Sequence, residues 1–207
     1  MKTRNKALLL SLCAVLLVAT SVFGTMAYLT DKETVTNTFT VGNVSFDSKA
    51  GLDEADVDVY GDLIPDAERV KTNEYKLIPG HDYVKDPTIH IGDDSEACWI
   101  YAKVDNGIAD IEAASGADME DGRKYATIVE QMVANGWSIV DGSIYAYKDT
   151  VSKGADVVIF NEFMVSGAAD ADALAENAAD TIVVTAYAIQ ADGFETAAEA
   201  WTAAGLE

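Results

Sequence analysis

Residues Thr181–Gln190 read TIVVTAYAIQ. Ile182, Val183, Val184, Thr185 and Ile189 are β-branched and Tyr187 is aromatic, the side chains that fit a pleated surface, so this run predicts a strand. Working outward, Gly167–Asp180 is a low-complexity Ala/Asp stretch, read as a loop with a helical turn. Before it, Val157–Val165 is a nearly continuous apolar run that predicts one buried strand. Trp137–Val140 and Ser143–Lys148 flank Asp141-Gly142, a hairpin turn. Tyr125, Ile128, Val129, Met132 and Val133 fall on one face at 3.6 periodicity, and Asn135-Gly136 is read as the C-cap of that helix. Cys98–Val104 alternates, and with Thr88–Ile91 across the Gly92-Asp93-Asp94-Ser95 turn it predicts an antiparallel hairpin. Pro79-Gly80 marks another turn, and Asp86-Pro87 imposes extended backbone before Thr88.

Nearer the N-terminus, Val35, Phe39 and Val41 alternate with Thr34, Thr36, Thr38 and Thr40, a half-buried strand pattern that continues into Val44-Ser45-Phe46. The acidic stretch Asp53–Tyr60 is read as a loop with a short strand. At the other end Phe194, Ala197, Ala198 and Trp201 predict the apolar face of a short C-terminal helix. About eight short strands, one or two inserted helices and that last helix predict a mainly β protein, an antiparallel jelly-roll β-sandwich. With no internal repeat and no linker, 28–207 is expected to form a single domain.

The chain has 207 residues, 49% hydrophobic and 24% charged, with 15 Gly and 3 Pro. That composition suits a globular domain burying roughly 70% of its unfolded surface, and excludes disordered, collagen-like and disulfide-dense classes. Its 35 acids against 14 bases give a net charge of −21. Such a surface repels nucleic acids and anionic membranes.

Met1–Lys6 is basic, Ala7–Gly24 is almost wholly apolar, and Thr25-Met26-Ala27 ends in a small residue. This is the layout of a signal peptide over residues 1–27, with cleavage expected after Ala27, leaving Tyr28 as the new N-terminus. The competing reading is an uncleaved membrane anchor. Cleavage would leave 11 bases against 35 acids, a net −24. It would also leave Cys98 as the remaining cysteine, read as a small buried hydrophobe.

The search for chemistry finds no catalytic constellation. The two histidines, His81 and His90, do not form a His-Glu-x-x-His motif, and each reads as an ordinary surface or half-buried side chain. A Cys98–His90 dyad would rest only on the proposed hairpin, and no Gly-x-Ser-x-Gly elbow or phosphate-binding glycine loop occurs. Asp53, Glu54, Asp56, Asp58 and Asp62, and the turn Gly92–Glu96, offer oxygen donors for calcium, but neither has the loop spacing that fixes its ligands. A solvated acidic loop is the expectation, with no cofactor and no catalytic residue.

Gly24–Asp31 followed by Asn37–Val44 resembles proteins processed by SipW-type signal peptidases, the TasA/camelysin-like surface and biofilm-matrix proteins of Gram-positive bacteria. Pro79-Gly80, Lys85-Asp86-Pro87, Cys98–Val104 and Val184–Phe194 running into Ala197–Trp201 are similar in the same order. The resemblance implies a jelly-roll domain that is secreted to the extracellular matrix or cell surface. It also implies a non-enzymatic structural role, with self-association into fibres or with other matrix proteins. Members of the group polymerise by donor-strand complementation, which makes Tyr28–Val41, with Tyr28, Leu29, Val35, Phe39 and Val41, the candidate donor strand. The alternative is that this segment pairs within its own sheet. Camelysin-like members are described as metallopeptidases, which keeps a secreted peptidase as an alternative, although no zinc motif is found to carry it. A monomeric adhesin is the other. No sortase motif follows Ala204, so covalent wall attachment is not expected, and after cleavage neither is membrane association.

Overall fold

The computed structural model describes residues 30–33, 44–47, 51–177 and 179–205. The cleavage site Thr25–Tyr28, the apolar run before it, and the donor residues Leu29, Val35, Phe39 and Val41 lie outside them. Among the described residues, ten strands occur in chain order: β1 Thr30–Glu33, β2 Leu52–Asp53, β3 Asp82–Val84, β4 Thr88–His90, β5 Cys98–Asn106, β6 Trp137–Asp141, β7 Ile144–Tyr147, β8 Asp156–Val158, β9 Glu162–Met164 and β10 Ile182–Gln190. The same residues include three short helices, α1 Ile128–Ala134, α2 Ala171–Glu176 and α3 Ala197–Ala204. The protein is thus mainly β, and each strand pairing is antiparallel.

The strands form a five-stranded sheet in the order β1-β10-β5-β7-β6, a three-stranded sheet β2-β4-β8 and a two-stranded pair β3-β9. β10 and β5 are its backbone, matched along nine residues from Ile182↔Asn106 to Gln190↔Cys98. One face of this pair carries Ile100, Ala102, Val184, Ala186 and Ala188, which pack in a common core with Ile89, Val157, Tyr83 and Phe163 of the smaller sheets. The other carries Tyr101, Tyr187 and Ile189, roofed by Ala200 and Trp201 of α3. Coverage on both faces explains why Val184–Ile189 is buried without alternation.

Two sequence expectations are corrected by this topology. Thr88–Ile91 and Cys98–Val104 do not form a hairpin: β4 pairs with β2 and β8, whereas β5 pairs with β10 and β7. The Gly92–Ser95 turn instead carries the chain from one sheet to the other. Val157–Val165 is not one strand but two, β8 and β9, in different sheets. At the break, the buried Gln131 side chain accepts from the N–H groups of Asn161 and Glu162.

Turn and cap chemistry holds as read. Asp141-Gly142 joins β6 to β7, and Gly136 takes φ +94° after Asn135, the C-cap of α1. Thr127 and Glu130 close the other end of α1 with a reciprocal capping box. The apolar face differs, however. Ile128 and Met132 are buried, but Tyr125 precedes the helix and Val129 and Val133 are 51% and 60% exposed. On α3, Trp201 is buried as expected, while Ala200 rather than Ala198 faces the sheet.

Candidate functional site

Among the described residues, the outer edge of β10 is only half covered. β1 spans Ala186–Ile189, and among the described residues no strand pairs with Ile182–Thr185 on that side. Gly107 N–H donates to the Thr181 carbonyl and Ala191 N–H to the Ala97 carbonyl, so odd-numbered residues direct their backbone groups toward β5. Ile182 and Val184 therefore point their N–H and C=O groups at the open side.

Beside this half-edge runs a groove of about 530 Å³. Its floor and walls include Leu52, Tyr75, Leu77, Phe163, Ile182 and Val184, with Asp53, Glu54, Lys71 and Lys85 at its polar side. The Tyr75 ring stands edge-on to Phe163 at 5.0 Å and to Tyr83 at 5.6 Å, and its hydroxyl donates to the Val84 carbonyl. Burial, reinforced by the Glu54 charge, pushes the Tyr75 phenol above its ordinary range.

The far wall is the 54–77 excursion between β2 and β3, held by a polar network. Glu54, 4% exposed, pairs with Lys85 and accepts from Asn73 Nδ2. Asn73 also donates to the Ala55 carbonyl and accepts from Val57 N–H. Arg69 reaches Asp53 at 2.5 Å, Asp86 at 2.9 Å and the Thr88 hydroxyl at 2.9 Å. Gly61, at φ +83°, lies against the sheet so closely that a Cβ would sit 2.8 Å from Tyr83 Cα. Chemically, an apolar floor beside strand backbone that no described strand pairs has the form that extended segments dock on.

The residues considered for calcium are separated rather than gathered. Asp53 and Glu54 turn inward to Arg69, His90 and Lys85, Asp58 caps its own turn by accepting from Tyr60 and Asp62 N–H, and Asp62 is exposed. In the 92–96 turn, Glu96 accepts from Gln190 Nε2. Among the described residues, no three His, Cys, Asp or Glu side chains group to hold a metal ion, and no helix is long and apolar enough to cross a membrane. No family model, curated protein or solved structure matches this chain.

His90 and Cys98 lie in different sheets, and Cys98 is fully buried. Burial, outweighing the hydrogen bond with Ser95, pushes its thiol up to about 12. Alkylation at pH 8 is therefore expected to be on the order of a thousandfold slower in the folded protein than in urea. Peptide-resolved mass spectrometry checks this, and equal rates would refute it.

Sequence reading missed both the groove and the roles of the two histidines. The groove joins residues from β2, the 71–77 segment, β9 and β10, and no local pattern links them. His90 meets acids 37 and 66 positions away. The one available signal was Thr181–Gln190 itself: a long strand must be paired on both edges or leave one open.

Proposed function

We propose that this is an exported, non-enzymatic structural protein of the cell surface or biofilm matrix. In this reading it is a jelly-roll-like subunit that assembles when the N-terminal strand of one copy pairs with β10 of the next. The observation that supports it most is the β10 edge, half covered among the described residues, beside an apolar groove. β1 holds its own sheet through four residue pairs, from Thr30↔Ile189 to Glu33↔Ala186. So short a strand is readily exchanged for the same strand of a neighbour. A donor in the β1 register would continue past Glu33 and set Val35 opposite Val184, over the groove. This agrees with the resemblance to TasA/camelysin-like proteins and with the signal-peptide reading, which would free Tyr28.

The test compares chains beginning at Tyr28 and at Val35 by negative-stain microscopy and light scattering. Fibres are expected from the first and not from the second, which lacks all of β1. Monomers from both would overturn the proposal. Because the subunits are strongly acidic, assembly should be promoted by added salt or by acidification, which weaken their mutual repulsion.

A further inference from the structure

The two histidines share an arrangement that their sequence surroundings do not suggest. His90, on β4, places Nδ1 2.6 Å from Asp156 Oδ1 on β8 and Nε2 2.9 Å from Asp53 Oδ1 on β2. His81 places Nδ1 2.6 Å from Glu120 Oε1 and Nε2 2.8 Å from the Tyr60 carbonyl oxygen. Ionised carboxylates and carbonyls only accept hydrogen bonds, and a neutral imidazole has a single N–H. A neutral ring would therefore turn a lone pair toward an acceptor at one of its two nitrogens. Only the imidazolium satisfies both contacts in each site.

The two rings join different parts of the protein. His81 grips the Tyr60 carbonyl within the 54–77 excursion, whereas His90 ties β4 to Asp53 of β2 and Asp156 of β8, its neighbours in the three-stranded sheet. We infer that the two histidines are proton-operated clamps: His81 holds the 54–77 excursion, the far wall of the groove, at Tyr60, and His90 holds β2 and β8 to β4, in mildly acidic conditions, and each loosens as the pH rises.

The other charges around each ring agree with this assignment. Arg69 shares Asp53 with His90 and opposes its protonation, but Asp53 and Asp156 flank the ring, and Asp47 donates its backbone N–H to the His90 carbonyl. Around His81 stand Glu120 and Asp82, with the Tyr83 ring edge-on at 4.7 Å. Burial alone would lower both histidines. It is outweighed at His81 by the bonds to Tyr60 and Glu120, and at His90 by those to Asp53 and Asp156, so both lie above the ordinary imidazole value.

A raised folded value means that the stabilisation is complete below the unfolded pKa, about 6.5, and disappears as pH climbs through the folded value. The Lys85–Glu54 pair and the bonds of Arg69 to Asp53 and Asp86 also hold the excursion, so its release is local rather than an unfolding.

The experiment is a histidine-resolved NMR titration joined to hydrogen exchange at pH 5.5 and 9, at concentrations where the protein is a single subunit. Assembly, or its failure, then has no bearing on the outcome. Both histidines should titrate above 6.5. Protection of residues 54–77 for His81, and of β2, β4 and β8 for His90, corrected for intrinsic exchange, should fall roughly tenfold for each pH unit by which the ring titrates above 6.5, while β5 and β10 stay protected. Asp156→Asn should lower the His90 titration and Glu120→Gln that of His81, each reducing the fall in protection. Both carboxylates are on the surface, 67% and 65% exposed, so these variants fold. Titration of both rings at or below 6.5, unchanged protection of 54–77, or an equal fall in β5 would each overturn the inference.

Discussion

Lys85→Met is expected to destabilise the protein by about 3–5 kcal/mol, because it strands a nearly buried carboxylate without its cation. Glu54 is 5% exposed at its side chain, Lys85 11%, and the ammonium lies 5.8 Å from the centre of the Tyr75 ring. Removing the cation leaves Glu54 with Asn73 as its neutral partner. The buried charge must then be tolerated or neutralised by taking up a proton, and either course costs stability. The double variant Lys85→Met with Glu54→Gln removes both charges and should recover most of the loss, since an uncharged pair of similar volume in a buried site is often as stable as the ion pair. Urea denaturation midpoints at pH 7 measure both. A single-variant loss below about 1 kcal/mol would show that solvent reaches Glu54. Because Glu54 and Lys85 line the groove, the single variant should also loosen its wall and weaken any strand docked there.

Trp201→Ala is expected to cost about 3–5 kcal/mol and to detach α3 from the large sheet. The indole is 4% exposed and is packed at 4.9 Å from the Tyr101 ring and edge-on at 5.3 Å to Tyr187. α3 has eight residues, too few to remain helical without that packing. Its Thr196 N-cap and its Gly205 C-cap at φ +61° set its ends but do not hold it to the sheet. The Tyr101 hydroxyl, which donates to the Ala197 carbonyl at 2.7 Å, would lose its partner as well. Thermal unfolding should shift downward by roughly 6–20 °C, the range that such a loss implies for a chain of this length. Trp201→Phe, which keeps an aromatic ring between the two tyrosines, should lose less than half as much. Equal stability of the alanine variant and the native protein would mean that α3 does not cover this face.

Local chemistry made much of the architecture readable. β-branched Thr181–Gln190, the Asp141-Gly142 turn and the Asn135-Gly136 helix end act over a few residues, where propensity and backbone geometry dominate. The failures arose where a pattern required a partner. Thr88–Ile91 and Cys98–Val104 have the alternation and spacing of a hairpin, but each was taken by a strand far away in the chain. Val157–Val165 was nearly continuously apolar because β8, Ile159-Phe160 and β9 all reach the core, with the chain turning at exposed Asn161, not because one strand runs through it. Val129 and Val133 fit the helical period but face solvent, since periodicity names a face without saying which part of it will be covered.

Composition and pattern alone determined a mainly β, antiparallel, strongly acidic protein. These properties follow from residue type and short-range order. Tertiary structure alone decided that β1 covers Ala186–Ile189 of β10, that a groove lies beside that edge, and that each histidine rests between two acceptors. Those features bring together residues such as Asp53, His90 and Asp156, or Leu52, Phe163 and Val184, that no local rule connects. Long-range packing chooses such neighbours through the free energy of the whole core, and a side chain's protonation and pairing are set only after that choice is made.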